Sequence, residues 1–380
     1  MSVVYMMDAR ARKSQQSLVE KLSKILDAAG VEDLVSPGDR VLIKCHMGAP
    51  LCTRYLRSFY VRRVADRVRE LGAEPIVTDT TGLGLLDPRG TAEKYLKVAA
   101  MHGYTAETVN APIIIADGAL GTEFFHSEVQ GHRFTKVALA NILKEADAVL
   151  TLTHFKGHAI AGLGGAVKNL AVGFAGKESK YLMHYIAKPR VESSICDDCQ
   201  ACLEVCPVNA IQVKDGKAYI EPETCIGCKA CITKCGRKAV KTERQQDPLE
   251  VQLRIADLAS AVLNVVGRDK VLFLNFLLEV DWLCDCEHLQ QGWSDIPIVP
   301  DIGILGSKDP VAIDQASAEL VNQAPGIPGS KAEEVGALNP GVDKLKAALP
   351  NVDWRQLLKA CEKLGVGETT YTLIQPEAGG

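Results

Sequence analysis

Two copies of one cysteine pattern dominate the sequence between residues 191 and 245. Each copy reads C-x2-C-x2-C-x3-C, and the first copy is followed by Pro207. Together they hold eight of the 13 cysteines of the chain: Cys196, Cys199, Cys202, Cys206, Cys225, Cys228, Cys231 and Cys235. Thiolates at this spacing wrap three corners of an iron–sulfur cube, while the fourth cysteine reaches across to the other cube. The pattern therefore predicts two four-iron, four-sulfur (4Fe-4S) clusters.

The same rule assigns the ligands of each cluster. We expect cluster one to take Cys196, Cys199, Cys202 and Cys235, and cluster two to take Cys225, Cys228, Cys231 and Cys206. The segment resembles the bacterial two-cluster ferredoxins over its whole length. It departs from them where the second copy ends in Cys235-Gly236 instead of Cys-Pro. A pair of zinc sites is the alternative, because C-x2-C spacing also serves zinc.

Composition and charge argue against several other classes of protein. A hydrophobic content of 47% is too high for a disordered chain, and a net charge of −4 does not suit a general nucleic-acid binder. The N-terminus lacks the pattern of a signal peptide, and the most apolar window, residues 271–283, is too short to cross a bilayer. We therefore expect a cytoplasmic protein without membrane insertion, in which clustered cysteines hold metal rather than disulfides.

Outside the cysteine-rich segment, apolar runs alternate with amphipathic patterns. Strands are predicted at 41–43, 74–78, 112–116, 148–152, 270–279 and 300–305, and helices at 15–29, 58–71, 92–102, 137–145, 247–266, 310–322 and 354–364. Such alternation is typical of an α/β fold in which a mostly parallel sheet has helices on both faces. We expect a small α+β ferredoxin-like insert at 191–245, between host segments 1–190 and 246–380.

Candidate reactive side chains follow two of the predicted strands. The stretch THFKGHAIAGLGGAVKNL begins at the end of one strand and carries His154, His158 and Lys168. We expect these three residues to do acid–base and anion-binding work. Asp79 ends another predicted strand and is the candidate to contact a substrate, because ligands gather at the carboxyl ends of parallel strands.

Glycines in the same stretch indicate an anion site. Gly162, Gly164 and Gly165 open a predicted helix that also carries Asn169, and free amide groups at a helix start favour a carboxylate or phosphate. The spacing is neither G-x-G-x-x-G nor a P-loop, so it does not indicate a nicotinamide cofactor or ATP.

Two further cysteines form a C-x-C pair after a predicted strand. Cys284 and Cys286 share one side of the chain if it stays extended, and Cys45-His46 ends another predicted strand. These residues and the two histidines have the ligand types of a further metal site, with zinc or iron as the ion. A redox-active thiol pair and buried thiols that act as small hydrophobic groups are the alternatives.

Several segments together identify a family resemblance. They are VLIKCHMG from Val41, VTDTTGLG from Val77, WLCDC from Trp282 and VPDIGILGSKDPVAIDQASAELVN from Val299, with the THFKGH stretch between them. In these segments the chain resembles the domain of unknown function family numbered 362, in the subgroup that carries an inserted two-cluster ferredoxin. The resemblance does not imply a particular reaction, because none is generally assigned to this family.

The HFKGHAIAGLGGAVKN stretch is also weakly similar to the lactate racemase family. There a Gly-Gly-x-Lys lysine holds a nickel-pincer nucleotide beside catalytic histidines. Here the spacing is Gly-Gly-x-x-Lys, formed by Gly164, Gly165 and Lys168, which argues against a covalent cofactor at that lysine.

These observations favour a ferredoxin-type oxidoreductase. In this interpretation, two clusters pass electrons between an external carrier protein and a small molecule or metal at the carboxyl edge of the host sheet. One alternative is a non-catalytic electron carrier or assembly partner. Another is a metal- or cofactor-dependent isomerase or lyase whose clusters are structural. Assembly into a homo-oligomer stays open.

Overall fold

The computed structural model describes residues 1–284, 286 and 293–376. The strands in this part are β1 (Ser2–Asp8), β2 (Arg40–Cys45), β3 (Glu74–Asp79), β4 (Ile113–Ile115), β5 (Phe124–Glu128), β6 (Lys136–Ala140), β7 (Ala148–His154), β8 (Lys156–His158), β9 (Gly162–Gly164), β10 (Arg190–Val191), β11 (Ile211–Lys214), β12 (Lys217–Ile220), β13 (Val240–Lys241), β14 (Val271–Leu277), β15 (Gly303–Ser307) and β16 (Tyr371–Ile374).

The helices in the same residues are α1 (Leu18–Ala28), α2 (Val31–Leu34), α3 (Ser58–Glu70), α4 (Ala92–Met101), α5 (Ala106–Val109), α6 (Ala166–Phe174), α7 (Lys177–His184), α8 (Ala230–Lys234), α9 (Pro248–Val266), α10 (Pro310–Gln323), α11 (Lys331–Glu334), α12 (Lys344–Ala348) and α13 (Trp354–Lys363). In this part of the chain, none of them combines the length and the apolar character that crossing a bilayer requires.

Eight strands form the central sheet, in the order β16-β1-β15-β14-β7-β2-β3-β4. β15 is antiparallel to both of its neighbours, and the other neighbouring pairs are parallel. In the middle of the sheet Leu42 lies opposite Val149 on one side and Ile76 on the other. The α/β fold with a mostly parallel sheet, predicted from the sequence, is confirmed.

Helices cover both faces of this sheet. Leu42 and Val149 belong to a hydrophobic core that includes residues of α6, α9, α10 and α13. The adjacent residues Val41 and Leu150 belong to a second core, built with α1, α3 and α4. Because successive strand residues point to opposite faces, each central strand supplies both cores.

The cysteine-rich segment forms a small α+β unit between α7 and α9. β10 pairs with β13, with Arg190 opposite Lys241, and β11 pairs with β12. Six of the cysteines pack with apolar side chains of these strands in a separate hydrophobic cluster. The β10–β13 pair brings together the two ends of the cysteine-rich unit.

One predicted element is wrong. Residues 137–145 form β6 and a 3-10 turn at Asn141–Glu145 instead of a helix. Leu139 lies opposite Phe125 of β5 in an antiparallel pair. The short apolar run at 137–140 suits a strand as well as a helix, and tertiary pairing decides between them. The edge strand β16 and its neighbour β1 were not predicted either.

Candidate functional site

The carboxyl ends of parallel strands meet beside a cavity of about 710 Å³. β2 ends at Cys45 and is followed by His46, β3 ends at Asp79, and β7 ends at His154. Cys284 follows β14 by a few residues. All of these except Cys45 line the cavity. The sheet thus brings together residues that are far apart in the sequence, as expected for the carboxyl edge of a parallel sheet.

His154 is held in one tautomer by its neighbours. Its Nε2 lies 2.9 Å from the carbonyl oxygen of Leu278, which can only accept, so Nε2 carries the proton. Its Nδ1 lies 2.9 Å from Nζ of Lys156 and accepts from that ammonium group. His154 and Lys156 are both buried. The pair presents a neutral imidazole and a cation at the wall of the cavity.

His158 is also a neutral imidazole with a defined tautomer. Its Nδ1 accepts from the backbone N–H groups of Ile160, at 3.2 Å, and Ala161, at 3.0 Å. Burial holds the pKa of His158 well below its usual value, and the nearby charge of Lys168 lowers it further. The proton therefore sits on Nε2, which lies 3.7 Å from Sγ of Cys286.

Cys284 and Cys286 form a close thiol pair. Their Sγ atoms are 3.1 Å apart. Nζ of Lys168 lies 3.7 Å from Sγ of Cys284 and 3.6 Å from Sγ of Cys286. His158, Cys284 and Cys286 bring their possible ligand atoms within 4.8 Å of one another. In the described part of the chain, no other group of three or more His, Cys, Asp or Glu residues does so.

A buried network surrounds Asp79. Nζ of Lys44 lies 2.6 Å from Oδ1 of Asn169 and 3.1 Å from Oδ1 of Asp79. Tyr95 donates its hydroxyl to Asp79 at 2.6 Å, and the N–H of Thr80 donates at 2.8 Å. Burial would raise the pKa of Asp79, but the charge of Lys44 and the other neighbours hold it below its usual value. Asp79 is an ionised group that positions Lys44.

The start of α6 already has an internal acceptor. Asp314 accepts from the N–H groups of Ala166, at 2.7 Å, and Val167, at 3.0 Å. A Cβ atom on Gly165 would lie 2.2 Å from Oδ1 of Asp314, so this close approach requires glycine. Burial raises the pKa of Asp314 to about 6. Because these amide groups are satisfied, an anion in the cavity would be bound by side chains instead.

Several cations of the cavity were missed from the sequence. Lys44, Arg89, Lys180 and Arg244 line it, and none of them was proposed as a site residue from the sequence. Lys44 directly follows the predicted strand 41–43 and lies in the segment VLIKCHMG, which was the one signal that pointed to it. His184 also lines the cavity, and burial followed by the charge of Arg244 lowers its pKa to about 3.

Loop 82–90 connects the cavity with the insert. The backbone N–H of Leu85 donates to the carbonyl oxygen of Cys228 at 2.9 Å, and both side chains belong to one small hydrophobic cluster. The same loop carries Arg89, which lines the cavity. Lys229 and Thr233 of the insert line it as well. The cavity therefore lies between the sheet edge and the second cysteine repeat.

The insert thiols form two neighbourhoods. In one of them, burial raises the pKa of Cys202, and the thiols whose charges raise it further are Cys196, Cys235 and Cys199. The other lines a small cavity and consists of Cys206, Cys225, Cys228 and Cys231. These are the two sets of four thiols that the sequence analysis assigned to clusters one and two, and Cys202 is also among the thiols that raise the pKa of Cys231 in the second set. Neither gathers its sulfurs within the 4.8 Å of a single-ion site, within the residues that the structure describes.

Other predicted residues lie elsewhere. Cys45 is buried in a hydrophobic core, where burial raises the pKa of its thiol to about 12, so it is a neutral thiol. Gly162 lies in β9 against Trp354, whereas Gly164 lines the cavity. His288, which the sequence places near the thiol pair, lies outside the described residues.

Two solved structures are similar to this chain at low sequence identity. Among solved structures, the lactate racemase apoprotein from Thermoanaerobacterium thermosaccharolyticum is similar with a TM-score of 0.42 and 10% identity, over 99% of this chain and 83% of that one. A protein from Thermotoga maritima is similar with a TM-score of 0.35 and 11% identity, over 69% of this chain and 50% of that one. No curated protein matches the chain at a significant level.

The family match is more extensive. Residues 41–319 match the domain of unknown function family DUF362, which is well over half of the chain. This confirms the family predicted from the segments at Val41, Val77, Trp282 and Val299, whereas the subgroup with an inserted ferredoxin stays a prediction. The chain therefore belongs to the DUF362 family.

Proposed function

We propose that the protein is an iron–sulfur oxidoreductase that passes electrons between an external carrier protein and a small molecule in the sheet-edge cavity. The observation that carries this proposal is the contact of loop 82–90 with the second cysteine repeat, where Leu85 N–H donates to Cys228 at 2.9 Å. The segment that would hold a redox group and the cavity are thus joined through one loop and one hydrogen bond. Such positioning is what a protein contributes to cofactor chemistry.

We propose two 4Fe-4S clusters, and not two zinc ions, for the insert. Four sulfurs on one zinc lie about 3.8 Å apart, given a Zn–S bond of about 2.3 Å. The four sulfurs around a cube lie farther apart, because the atoms of the cube separate them. The two thiol neighbourhoods have four members each but no single-ion spacing among the described residues. When bound, such clusters accept and donate single electrons.

On the substrate side, we propose that Cys284 and Cys286 act as a redox-active pair. Their sulfurs are 3.1 Å apart, so a shift of about 1 Å would bring them to the length of a disulfide bond. Forming that S–S bond releases two electrons and two protons, and reducing it takes up the same number. The ammonium group of Lys168, 3.6 Å from Cys286, stabilises the thiolate that such exchange requires.

His158, Cys284 and Cys286 bring their ligand atoms within 4.8 Å of one another, but we favour the redox pair over the further zinc or iron ion at this place. A metal-bound histidine needs its second nitrogen to carry a proton and to donate it. Nδ1 of His158 instead accepts from two backbone N–H groups, which leaves the proton on the nitrogen that faces Cys286. The cation Lys168 beside both sulfurs further disfavours a metal ion.

The proposal is tested on protein purified without oxygen. We expect about eight iron and about eight acid-labile sulfide per chain, with electron paramagnetic resonance signals of reduced 4Fe-4S clusters after dithionite. Differential alkylation followed by mass spectrometry should find Cys284 and Cys286 interconverting between dithiol and disulfide as the ambient potential changes. Cys284→Ser should abolish this interconversion and keep the iron, whereas Cys361→Ser, a buried host thiol, should change neither.

Two results would overturn the proposal. Zinc in place of iron would remove the electron-transfer role of the insert. Full iron content with a thiol pair that never changes its oxidation state would favour the electron carrier or the isomerase with structural clusters.

A further inference from the structure

We propose that the sheet-edge cavity binds its small molecule through an oxyanion, a carboxylate or a phosphate, held by Arg89 next to the Cys284–Cys286 pair. This inference rests on the proposed function, because it names the class of substrate for that site. It concerns binding alone and can fail while the clusters and the thiol pair behave as proposed.

Arg89 is the first line of support. It lines the cavity with only 6% of its surface exposed. One of its terminal nitrogens, Nη1, lies 2.8 Å from Nε2 of His46. Its Nε is buried and has no hydrogen-bond partner among the described residues. A buried charged donor left unpaired is costly, and the planar guanidinium group matches the two oxygens of a carboxylate or phosphate.

The loop that carries Arg89 is held in place by a buried lysine. Nζ of Lys177 donates to the carbonyl oxygen of Gly90 at 3.1 Å and to Oγ1 of Thr81 at 2.7 Å. A Cβ atom on Gly90 would lie 2.1 Å from the carbonyl oxygen of Gly84, so the two ends of the turn touch. Arg89 is therefore fixed before any ligand arrives, which lowers the entropy cost of binding.

The surrounding charge also favours an anion. Seven lysine and arginine residues line the cavity, namely Lys44, Arg89, Lys156, Lys168, Lys180, Lys229 and Arg244, against two aspartates, Asp79 and Asp87. Asp79 is already neutralised by Lys44 at 3.1 Å. A cleft lined by one sign of charge with low-dielectric walls concentrates ligands of the opposite sign.

The anion would lie close to the reactive sulfur. Arg89, Cys284 and Cys286 line the same cavity of about 710 Å³. A molecule whose oxyanion contacts the guanidinium group would hold its reacting atoms on the thiol side of the cavity.

Two alkylating reagents of the same size test this inference. Iodoacetate and iodoacetamide each form a carbon–sulfur bond with the thiolate and release iodide, but only iodoacetate carries a carboxylate. After anaerobic reduction with dithiothreitol and its removal, mass spectrometry gives the rate for each reagent at Cys284 and Cys286. We expect the iodoacetate-to-iodoacetamide rate ratio to exceed that of the neutral thiol N-acetylcysteinamide about tenfold.

Variants and competitors identify the anchor. Arg89→Gln should lower the ratio several-fold, because the ratio cancels any change in the thiolate fraction, whereas Arg133→Gln, an arginine paired with Glu250 on the surface, should leave the ratio unchanged. Inorganic phosphate and acetate should each slow iodoacetate in the wild-type protein, and the stronger competitor indicates the favoured oxyanion. This competition still tests the inference if Arg89→Gln does not fold.

Two results would overturn the inference. One is an iodoacetate-to-iodoacetamide rate ratio equal to that of the reference thiol. The other is a ratio that stays the same in Arg89→Gln and in the presence of phosphate or acetate. With intact clusters and a cycling thiol pair, that result would exclude only the substrate class. Loss of iron or of thiol cycling would instead exclude the proposed function.

Discussion

The insert and the sheet edge hold their reactive groups by different means. In the insert, cysteines sit on loops around short strands and the five-residue helix α8, and Cys199 is exposed. At the sheet edge, β7 is buried along all seven residues, and His154 is bonded to Lys156 and Leu278. We infer that the insert depends on the proposed clusters for its order, whereas the sheet edge is organised by its own hydrogen bonds.

Removing one cluster ligand should have the largest effect. Cys228→Ala is expected to lower the iron content from about eight to about four per chain, because cluster two loses a corner. Hydrogen exchange should then rise within residues 225–235 and stay slow in β7. Cys361→Ala should keep the full iron content. Faster exchange in β7 as well would mean that the order of the sheet edge also depends on the clusters.

The opposite experiment disturbs the host site alone. Asp314→Ala leaves the N–H groups of Ala166 and Val167 and the side-chain amide of Asn275 without their acceptor. At about 1 kcal/mol or more for each donor, the free energy of unfolding in urea should fall by at least about 3 kcal/mol. Thr91→Ala, which removes the cap of α4, should cost about 1 kcal/mol. Iron content should not change in either variant, and a loss would tie the insert to the host core.

A smaller effect is expected from the cation beside the thiol pair. Lys168→Ala should raise the pKa of the pair by about one unit, so that alkylation by iodoacetamide near pH 7 slows about tenfold. Lys168→Arg should retain most of the rate because the charge remains. The pH profile of alkylation measures the shift, and an unchanged profile would mean that Lys168 does not stabilise the thiolate.

The smallest effect concerns pH. Burial lowers the pKa of Lys180 to about 8, below its usual value, so its charge is present below about pH 8 and lost above it. The iodoacetate-to-iodoacetamide ratio should therefore fall about threefold between about pH 7 and about pH 9. In Lys180→Arg the ratio should stay level, because arginine remains charged. A ratio that is flat in the wild-type protein would remove Lys180 from the anion site.

The parts predicted from the sequence are those that depend on local spacing or on general topology. The spacing of the cysteine repeats predicts which four cysteines belong to each cluster. The rule for parallel strands predicts that His154, Asp79 and Cys284 meet at one edge of the sheet. Arg89 and Lys180 were missed because a loop and a helix carry them, and only tertiary packing aims them at the cavity. The tautomer of His158 depends on two backbone N–H groups, whose directions no sequence pattern specifies.

The pairing of β10 with β13 has a consequence for the history of the chain. Since Arg190 lies opposite Lys241, a short turn would bridge the gap that remained if the segment between them were deleted. Such a segment could be gained or lost without redesign of the sheet. A chain without it would keep the residues of the sheet edge that line the cavity but would lose Lys229 and Thr233 from its lining.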